Sequence, residues 1–302
     1  MPAWLLGAIS QGVLWGVMVL GLYITYKILD LADLTVDGSF ALGGAVSAIL
    51  IVNGWNPFLT FLISFGAGLL AGACTGLLHT VLRIPAILSG ILTMISLYSI
   101  NIRIMGKANI PLLGVDTMVT KLTNASGISS NLAALLVGLA FTAVLIGLMY
   151  WFFGTEIGCS IRATGNNEAM VRALGSNTKV NKVLGLMLSN ALVSLSGALV
   201  AQSQGYADVQ MGQGAIVIGL ASIIIGEVLF GHRFNFAYKL ASVVCGSVIY
   251  RVIIGYILYK SLMQSTDLKL LTAVLVAAAL SVPIIKEAIV NHMGARGAKK
   301  KC

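Results

Sequence analysis

Few residues of this chain could do chemistry, and they gather in two places. The first is Asp33-Leu34-Thr35-Val36-Asp37-Gly38-Ser39, lying between two apolar stretches. Carboxylates and hydroxyls beside a helix break can line a water-filled path through a membrane. The same residues also suit an ordinary turn in which an Asp caps the next helix. Arg251 lies well inside the apolar segment 237–258, where a charge must face protein or water, which points to a buried ion pair or a path role. Arg103, near the end of its segment, is expected to snorkel outward. Glu227 is expected to pair with Arg233 or reach the interface, and His79 and Asn190 to make hydrogen bonds between packed helices.

The second place is Gly158-Cys159-Ser160-Ile161-Arg162-Ala163-Thr164-Gly165-Asn166-Asn167-Glu168-Ala169-Met170-Val171-Arg172-Ala173-Leu174-Gly175. It reads as a short self-contained helix. Asn166 or Asn167 caps its start, and Glu168 sits in the first turn, where negative charge suits the helix dipole. Glu168 and Arg172 are spaced i,i+4 in the favourable order, and Gly175 supplies a left-handed stop. Ala169, Met170, Ala173 and Leu174 form a small apolar face. That face has to lie on a membrane surface, fold back on its own bundle, or enter a groove on a partner.

Enzyme motifs are missing. There is no G-x-x-x-x-G-K-[ST] loop for nucleotide phosphates, no G-x-S-x-G element and no H-E-x-x-H pair. The three histidines suggest no metal site. The four cysteines, Cys74, Cys159, Cys245 and Cys302, show no C-x-x-C pairing, so neither zinc nor a disulfide framework is expected. Cys74 and Cys245 read as small packing residues.

The elements that hold these residues are membrane helices. Of the 302 residues 58% are hydrophobic and only 10% charged, and mean hydropathy is +0.96. Soluble domains carry roughly a quarter charged residues. About nine apolar segments run over 4–26, 38–53, 57–82, 86–106, 132–153, 183–201, 214–230, 237–258 and 268–285, several short and Gly-interrupted as in broken or re-entrant helices. The fold class expected is all-α: a polytopic membrane bundle of about eight to ten transmembrane or re-entrant helices. Residues 1–285 read as a membrane domain, with a polar loop at 154–182, and 286–302 as a basic cytosolic tail. Residues 107–131 read as a polar loop. The N-terminus lacks a basic region before its apolar run and reads as a first span rather than a cleaved signal.

A net charge of +9 could suit nucleic acid, but Lys and Arg collect in short inter-segment stretches, as topology signals do. With 154–182 and the tail in the cytosol, His232 and Arg233 also fall inside, 202–213 and 260–268 fall outside, and backward alternation puts the N-terminus outside. Gly68-x-x-x-Gly72-x-x-x-Gly76, together with Gly43, Gly44 and Gly66, is explained by close helix packing.

The pattern carried by Gly158, Arg162, Ala163, Gly165, Asn167, Ala169 and Gly175, with Asn177 following, resembles the permease signature of the branched-chain amino acid, ribose and related ABC importers. Asp33–Ser39 is similar to that family's Asp-Leu-Ser-Val-Gly-Ser segment, with Asp37 as an extra residue and Leu42-Gly43-Gly44-Ala45 following. Ile225-Gly226-Glu227 stands where the family has an Ile/Leu-Gly-Gly turn. Among relatives, the permeases encoded with tryptophan/tyrosine binding proteins look closest.

The resemblance implies a membrane-spanning permease subunit of an ATP-driven importer, with 1–285 as the transmembrane permease domain and 154–182 as the coupling loop that carries a cytosolic coupling helix. Arg162, Gly165, Asn166, Asn167, Glu168, Ala169, Met170, Arg172, Leu174 and Gly175 would couple it to an ATPase. Asp33, Thr35, Asp37, Ser39 and Arg251 are the path candidates. Implied partners are ABC ATPase subunits that bind ATP and Mg, an extracellular or periplasmic substrate-binding protein, a second permease copy and the lipid bilayer. Neither nucleic acid nor a cofactor or metal in this chain is expected. The expected location is the bacterial plasma membrane, and the expected solute an amino acid, with an aromatic one as the guess. An ion-gradient-driven secondary transporter or channel is the alternative; it calls for intramembrane carboxylates forming an ion site.

Overall fold

The computed structural model describes residues 3–230, 235–260, 267, 270–277 and 281. The basic tail, His232, Arg233 and Cys302 lie outside the described residues, as does half of the segment 268–285.

Among the described residues the elements follow in order: α1 (Ala3–Tyr23), continued by a π-helical turn (Ile24–Ile28); α2 (Val36–Val52); α3 (Pro57–Thr80); α4 (Ala86–Met105); β1 (Asn109–Pro111); α5 (Met118–Ser126); α6 (Ser130–Phe152); α7 (Glu156–Asn166); α8 (Glu168–Ala173); α9 (Thr178–Gln204); β2 (Tyr206–Asp208); α10 (Ala215–Phe230); and α11 (Phe236–Tyr259). Among the described residues, six helices are long and apolar enough to cross a membrane: α1 with its π turn, α3, α4, α6, α9 and α11. α2 and α10 have 17 and 16 residues. At 1.5 Å per residue each reaches about 25 Å, short of a hydrocarbon core of about 30 Å. The chain is therefore an all-α polytopic membrane protein.

α9 is the centre. Of its apolar stretch 78% is buried inside the chain, against 28% for α4, which lies at the periphery. α1, α2 and α3 pack along it. In lipid there is little hydrophobic drive between helices, so close backbone approach and hydrogen bonds must hold them together. Both occur here. A Cβ on Gly68 or Gly72 would overlap the carbonyls of Asn190 or Leu186, and Gly76 meets Val183, so the four-residue glycine stripe of α3 lies against α9. Gly43 and Gly44 of α2 are similarly close to Ser194 and Met211, whereas Gly66 faces open space and needs another explanation. Serines of α9 donate to carbonyls on its neighbours: Ser189 Oγ to Gly21 (2.8 Å), Ser194 Oγ to Ser64 (2.7 Å) and Ser196 Oγ to Leu14 (2.8 Å). At the far end Gln202 Nε2 donates to Ser47 Oγ (3.1 Å) and Thr60 Oγ1 (3.0 Å), while its Oε1 accepts from Met118 N–H (3.0 Å). α2, α3, α5 and α9 are thereby tied by one amide.

Some expectations need correction. Residues 107–131 are not a plain loop: β1 pairs antiparallel with β2, and α5 forms behind a Thr117–Thr120 capping box. The usual box carries Glu or Gln at the third position, so Thr hid it from pattern reading. α9 starts five residues before the apolar segment at 183, because Asn177 Oδ1 accepts from Lys179 N–H (3.1 Å) and Val180 N–H (3.4 Å) and starts the helix within polar sequence. Cys74 and Cys245 are exposed on the chain surface rather than packed inside. Ile225-Gly226-Glu227 is no turn; it lies within α10, where Gly226 sits against Ser242 of α11. Glu227 pairs with Lys27 at 3.0 Å, a partner nearly two hundred residues away that local spacing could not show.

Candidate functional site

Two assemblies lie at different levels of the bundle, and both lean on α9. The first is the break before α2. After the π turn the chain leaves helical geometry until Val36. Unpaired backbone at this depth is tolerated only where protein or water satisfies it. Asp33 does that locally: its Oδ1 accepts from Thr35 N–H (2.9 Å), and its Oδ2 accepts from Asn190 Nδ2 (2.7 Å). Asn190 Oδ1 in turn accepts from Ser39 Oγ (2.6 Å), and Thr35 Oγ1 meets Thr75 Oγ1 at 2.8 Å. Asp33 is 2% exposed and Thr35, Ser39 and Asn190 are fully buried. Three of the path candidates, Asp33, Thr35 and Ser39, thus sit in a closed polar knot between α2, α3 and α9. Asn190, expected as a packing residue, is its hub.

Asp37 points the other way. Its Oδ2 accepts from Gly214 N–H (2.9 Å) and its Oδ1 from Ile216 N–H (3.0 Å). It caps α10, not α2, satisfying orphan N–H groups and the positive helix end together. Gly212 packs so closely on the Asp37 carbonyl that a Cβ would overlap it. The starts of the two short helices are therefore pinned together, each beginning inside the bundle. Asp37 also borders a cavity of about 310 Å³ between α2, α4 and the segment before α10, with Met94, Tyr98, Asn101, Val209 and Gln213. Sequence reading missed Tyr98, Asn101 and Gln213. The available signal was that Met94, Tyr98 and Asn101 share one face of a helix at i, i+4 and i+7.

Arg251, the fifth path candidate, lies away from this cavity. Its guanidinium stacks 4.0 Å from the Trp15 ring centroid, and Trp15 packs on Phe40. That cation–π contact between α11 and α1 replaces the expected ion pair.

The second assembly is the segment between α6 and α9. The short helix expected over Asn166–Leu174 is present as α8, Glu168–Ala173, and a second helix, α7, precedes it in sequence read as loop. α7 starts behind a Thr155 cap and includes Arg162, Gly165 and Asn166. Asn167 adopts an extended backbone, and its Oδ1 accepts from Met170 N–H (3.0 Å), so Asn167, not Asn166, caps α8. Gly175 has φ +85°, the left-handed stop. Two glycines hold α7 down: a Cβ on Gly158 would overlap the Phe152 carbonyl of α6, and one on Gly165 the Ile28 carbonyl at the end of the π turn. Arg162 lies over the Phe236 ring of α11 at 5.2 Å.

Polar bonds then fix both helices to the base of α9. Asn181 Nδ2 donates to Ser160 Oγ (2.8 Å) and Thr164 Oγ1 (2.9 Å). Glu168 accepts from Lys182 Nζ (2.7 Å), Arg172 Nη2 (2.8 Å) and Thr178 Oγ1 (3.0 Å). The Lys182 bond above all, then those from Thr178 and Arg172, holds the Glu168 carboxyl below the usual carboxylate range despite some opposing desolvation. Only Val171 of α8 is buried; Ala169, Met170, Ala173 and Leu174 are exposed, Leu174 at 75%. α8 is a rigidly mounted rod with an uncovered apolar face. At 27 residues α9 spans about 40 Å and links this end to the opposite one. The N-terminal end of α1, where Trp4 stacks on Tyr259, is at the end away from α8.

Among the described residues, six helices long and apolar enough to cross a membrane, two paired shorter helices and a surface rod fit a multi-pass transport protein of the permease class. A family model described as "branched-chain amino acid transport system / permease component" matches residues 4–279, and the chain belongs to that family of ABC permeases. It is 40% identical over 277 residues, 92% of this chain and 90% of the relative, to a tyrosine transport system permease protein of Clostridioides difficile (strain R20291). It is 28% identical over 167 residues to a galactofuranose transporter permease protein of Escherichia coli (strain K12), covering 54% of this chain and 46% of that one. A probable branched-chain amino acid transport permease protein of Methanocaldococcus jannaschii is 25% identical over 202 residues, 63% of each chain. No solved structure matches.

Proposed function

We propose that this chain is the membrane-spanning subunit of an amino acid importer of the bacterial plasma membrane, driven by a separate ABC ATPase that grips α8. The observation that carries the reading is the mounting of α8. Its exposed apolar face suits a groove on a partner; Glu168 ties α8 to α9, and α7 just before it is tied to α9 through Asn181 and to the end of α1 through Gly165. A push on α8 is therefore delivered to the helices that frame the polar knot and the cavity. ATP and Mg belong to the partner ATPase, whose nucleotide cycle moves α8. A substrate-binding protein delivers solute at the opposite end, and a second copy of the chain completes the path. Arg162, Asn166, Ala169, Met170, Arg172 and Leu174 form or flank the docking face, while Gly165, Asn167, Glu168 and Gly175 shape and mount it. Asp37 borders the path; Asp33, Thr35 and Ser39 brace the break beside it, and Arg251 braces α1 against α11. The solute reading, an aromatic amino acid, draws on the relative named for tyrosine transport.

The test is L-tyrosine uptake into proteoliposomes holding this chain with the ATPase that copurifies with it and its binding protein. Uptake is expected to require internal or external ATP on the α8 side and to survive collapse of ion gradients. Uptake that persists without ATP while an ion gradient stands would overturn the reading.

A further inference from the structure

Asn101 is fully buried in α4, yet its amide is only half engaged. Its Nδ2 donates to the Gly38 carbonyl at 3.4 Å, while Oδ1 has no partner. A buried acceptor left unpaired costs about 1–3 kcal/mol, so its retention calls for an explanation. Asn101 lines the cavity of about 310 Å³ beside Asp37. That volume is at the lower end of the range of about 300–1,000 Å³ for small-molecule sites. Met94, Tyr98 and Val209 supply apolar and aromatic wall, and Asp37, Asn101 and Gln213 supply the polar groups.

The polar end is rich in acceptors. The Asp37 carboxylate takes two N–H groups from the start of α10, and a carboxylate can accept about four, so capacity remains. The α10 end contributes roughly half a positive charge against a full negative one, leaving the site net negative. A group bound there must donate hydrogen bonds and carry positive charge. The apolar wall disfavours a sugar, whose polar surface it could not satisfy.

We propose that this cavity is the solute site, and that Asn101 Oδ1, backed by Asp37, receives the ammonium group of an amino acid whose apolar side chain lies along Met94 and Tyr98. The proposal rests on the amino acid reading above and adds to it the residues that recognise the solute.

The test separates the two. In the assembled transporter, with native cysteines replaced by serine, Gln213→Cys places a thiol in the cavity wall. Its labelling by a maleimide is followed with L-tyrosine, L-phenylalanine or L-leucine, and with 3-(4-hydroxyphenyl)propionate, which has the ring and carboxylate of tyrosine but no ammonium. At least one amino acid is expected to protect the thiol, and the desamino compound is not. Adding Asn101→Leu is expected to raise the protecting concentration about tenfold or more, the scale of one lost charge-assisted hydrogen bond. Should the leucine variant fail to assemble, Asn101→Asp keeps an acceptor and is expected to retain ammonium-selective protection. Protection by none of the amino acids, equal protection by the desamino compound, or an aspartate variant that loses selectivity would overturn the assignment. Protection reads occupancy without any ATPase cycle, so its failure is distinct from a failure of ATP-driven uptake.

Discussion

Asn190 and Glu168 each hold several elements through one side chain. Asn190 Nδ2 is the side-chain donor to the buried Asp33 Oδ2, so Asn190→Leu leaves a buried carboxylate short of a partner. Such loss typically costs about 1–3 kcal/mol, more for charged groups. The variant is expected to lower the thermal transition of the detergent-solubilised protein by several degrees; an unchanged transition would contradict the closed knot around Asp33. Glu168 titrates outside the membrane. Its carboxyl is held down by Lys182 first, so the tie it makes is present above the ordinary carboxylate pKa and is lost as pH falls through the depressed folded value. Thermal stability of the coupling end is thus expected to be flat from neutral to mildly acidic pH and to fall in strong acid. In Glu168→Gln that acid-dependent part should vanish. Sequence reading found the Glu168–Arg172 pair because i,i+4 spacing is local. It missed Lys182 and Asn181 because those partners come from the next helix.

At the scale of elements, the apolar periods located the membrane helices closely, since burial in lipid demands long uniform stretches. Their polar ends were less legible. α9 extends into Lys179, Asn181 and Lys182, and α5 forms in polar sequence, because caps rather than hydrophobicity set those boundaries. The division of α7 from α8 turns on the extended backbone at Asn167, one of the two cap candidates, while the helix before it, α7, went unread because its sequence is polar and glycine-containing. The same division sets an expectation. Gly165→Val must push α7 off the Ile28 carbonyl and loosen its seat on α1. Transport per ATP hydrolysed is expected to fall tenfold or more while ATP turnover itself is retained; a normal transport-to-hydrolysis ratio would show that α7 transmits nothing. Lys27 and Glu227 tie the end of α1 to α10 with an exposed pair worth at most about 1 kcal/mol. Lys27→Glu is expected to slow uptake modestly and Lys27→Glu/Glu227→Lys to restore it, measured as initial rates.

For the whole molecule, the account is one of transmission along α9, from a rod at one end to two pinned short helices within. The apolar segments could be read from residue types, and the family from the resemblance of Gly158–Gly175 and Asp33–Ser39 to known signature motifs. The orientation of Asp33 into packing and of Asp37 toward a cavity could not, since that depends on which helix faces which. The proposed coupling depends on what touches α8. The direct measurement is photo-crosslinking from a photoactivatable amino acid at Met170 in cells, with accessibility of Leu174→Cys to a membrane-impermeant thiol reagent as the sidedness control. The account predicts an adduct with an ATPase subunit and a Leu174→Cys thiol protected from reagent outside the cell. Adducts with lipid alone, or labelling of that thiol from the exterior, would contradict it.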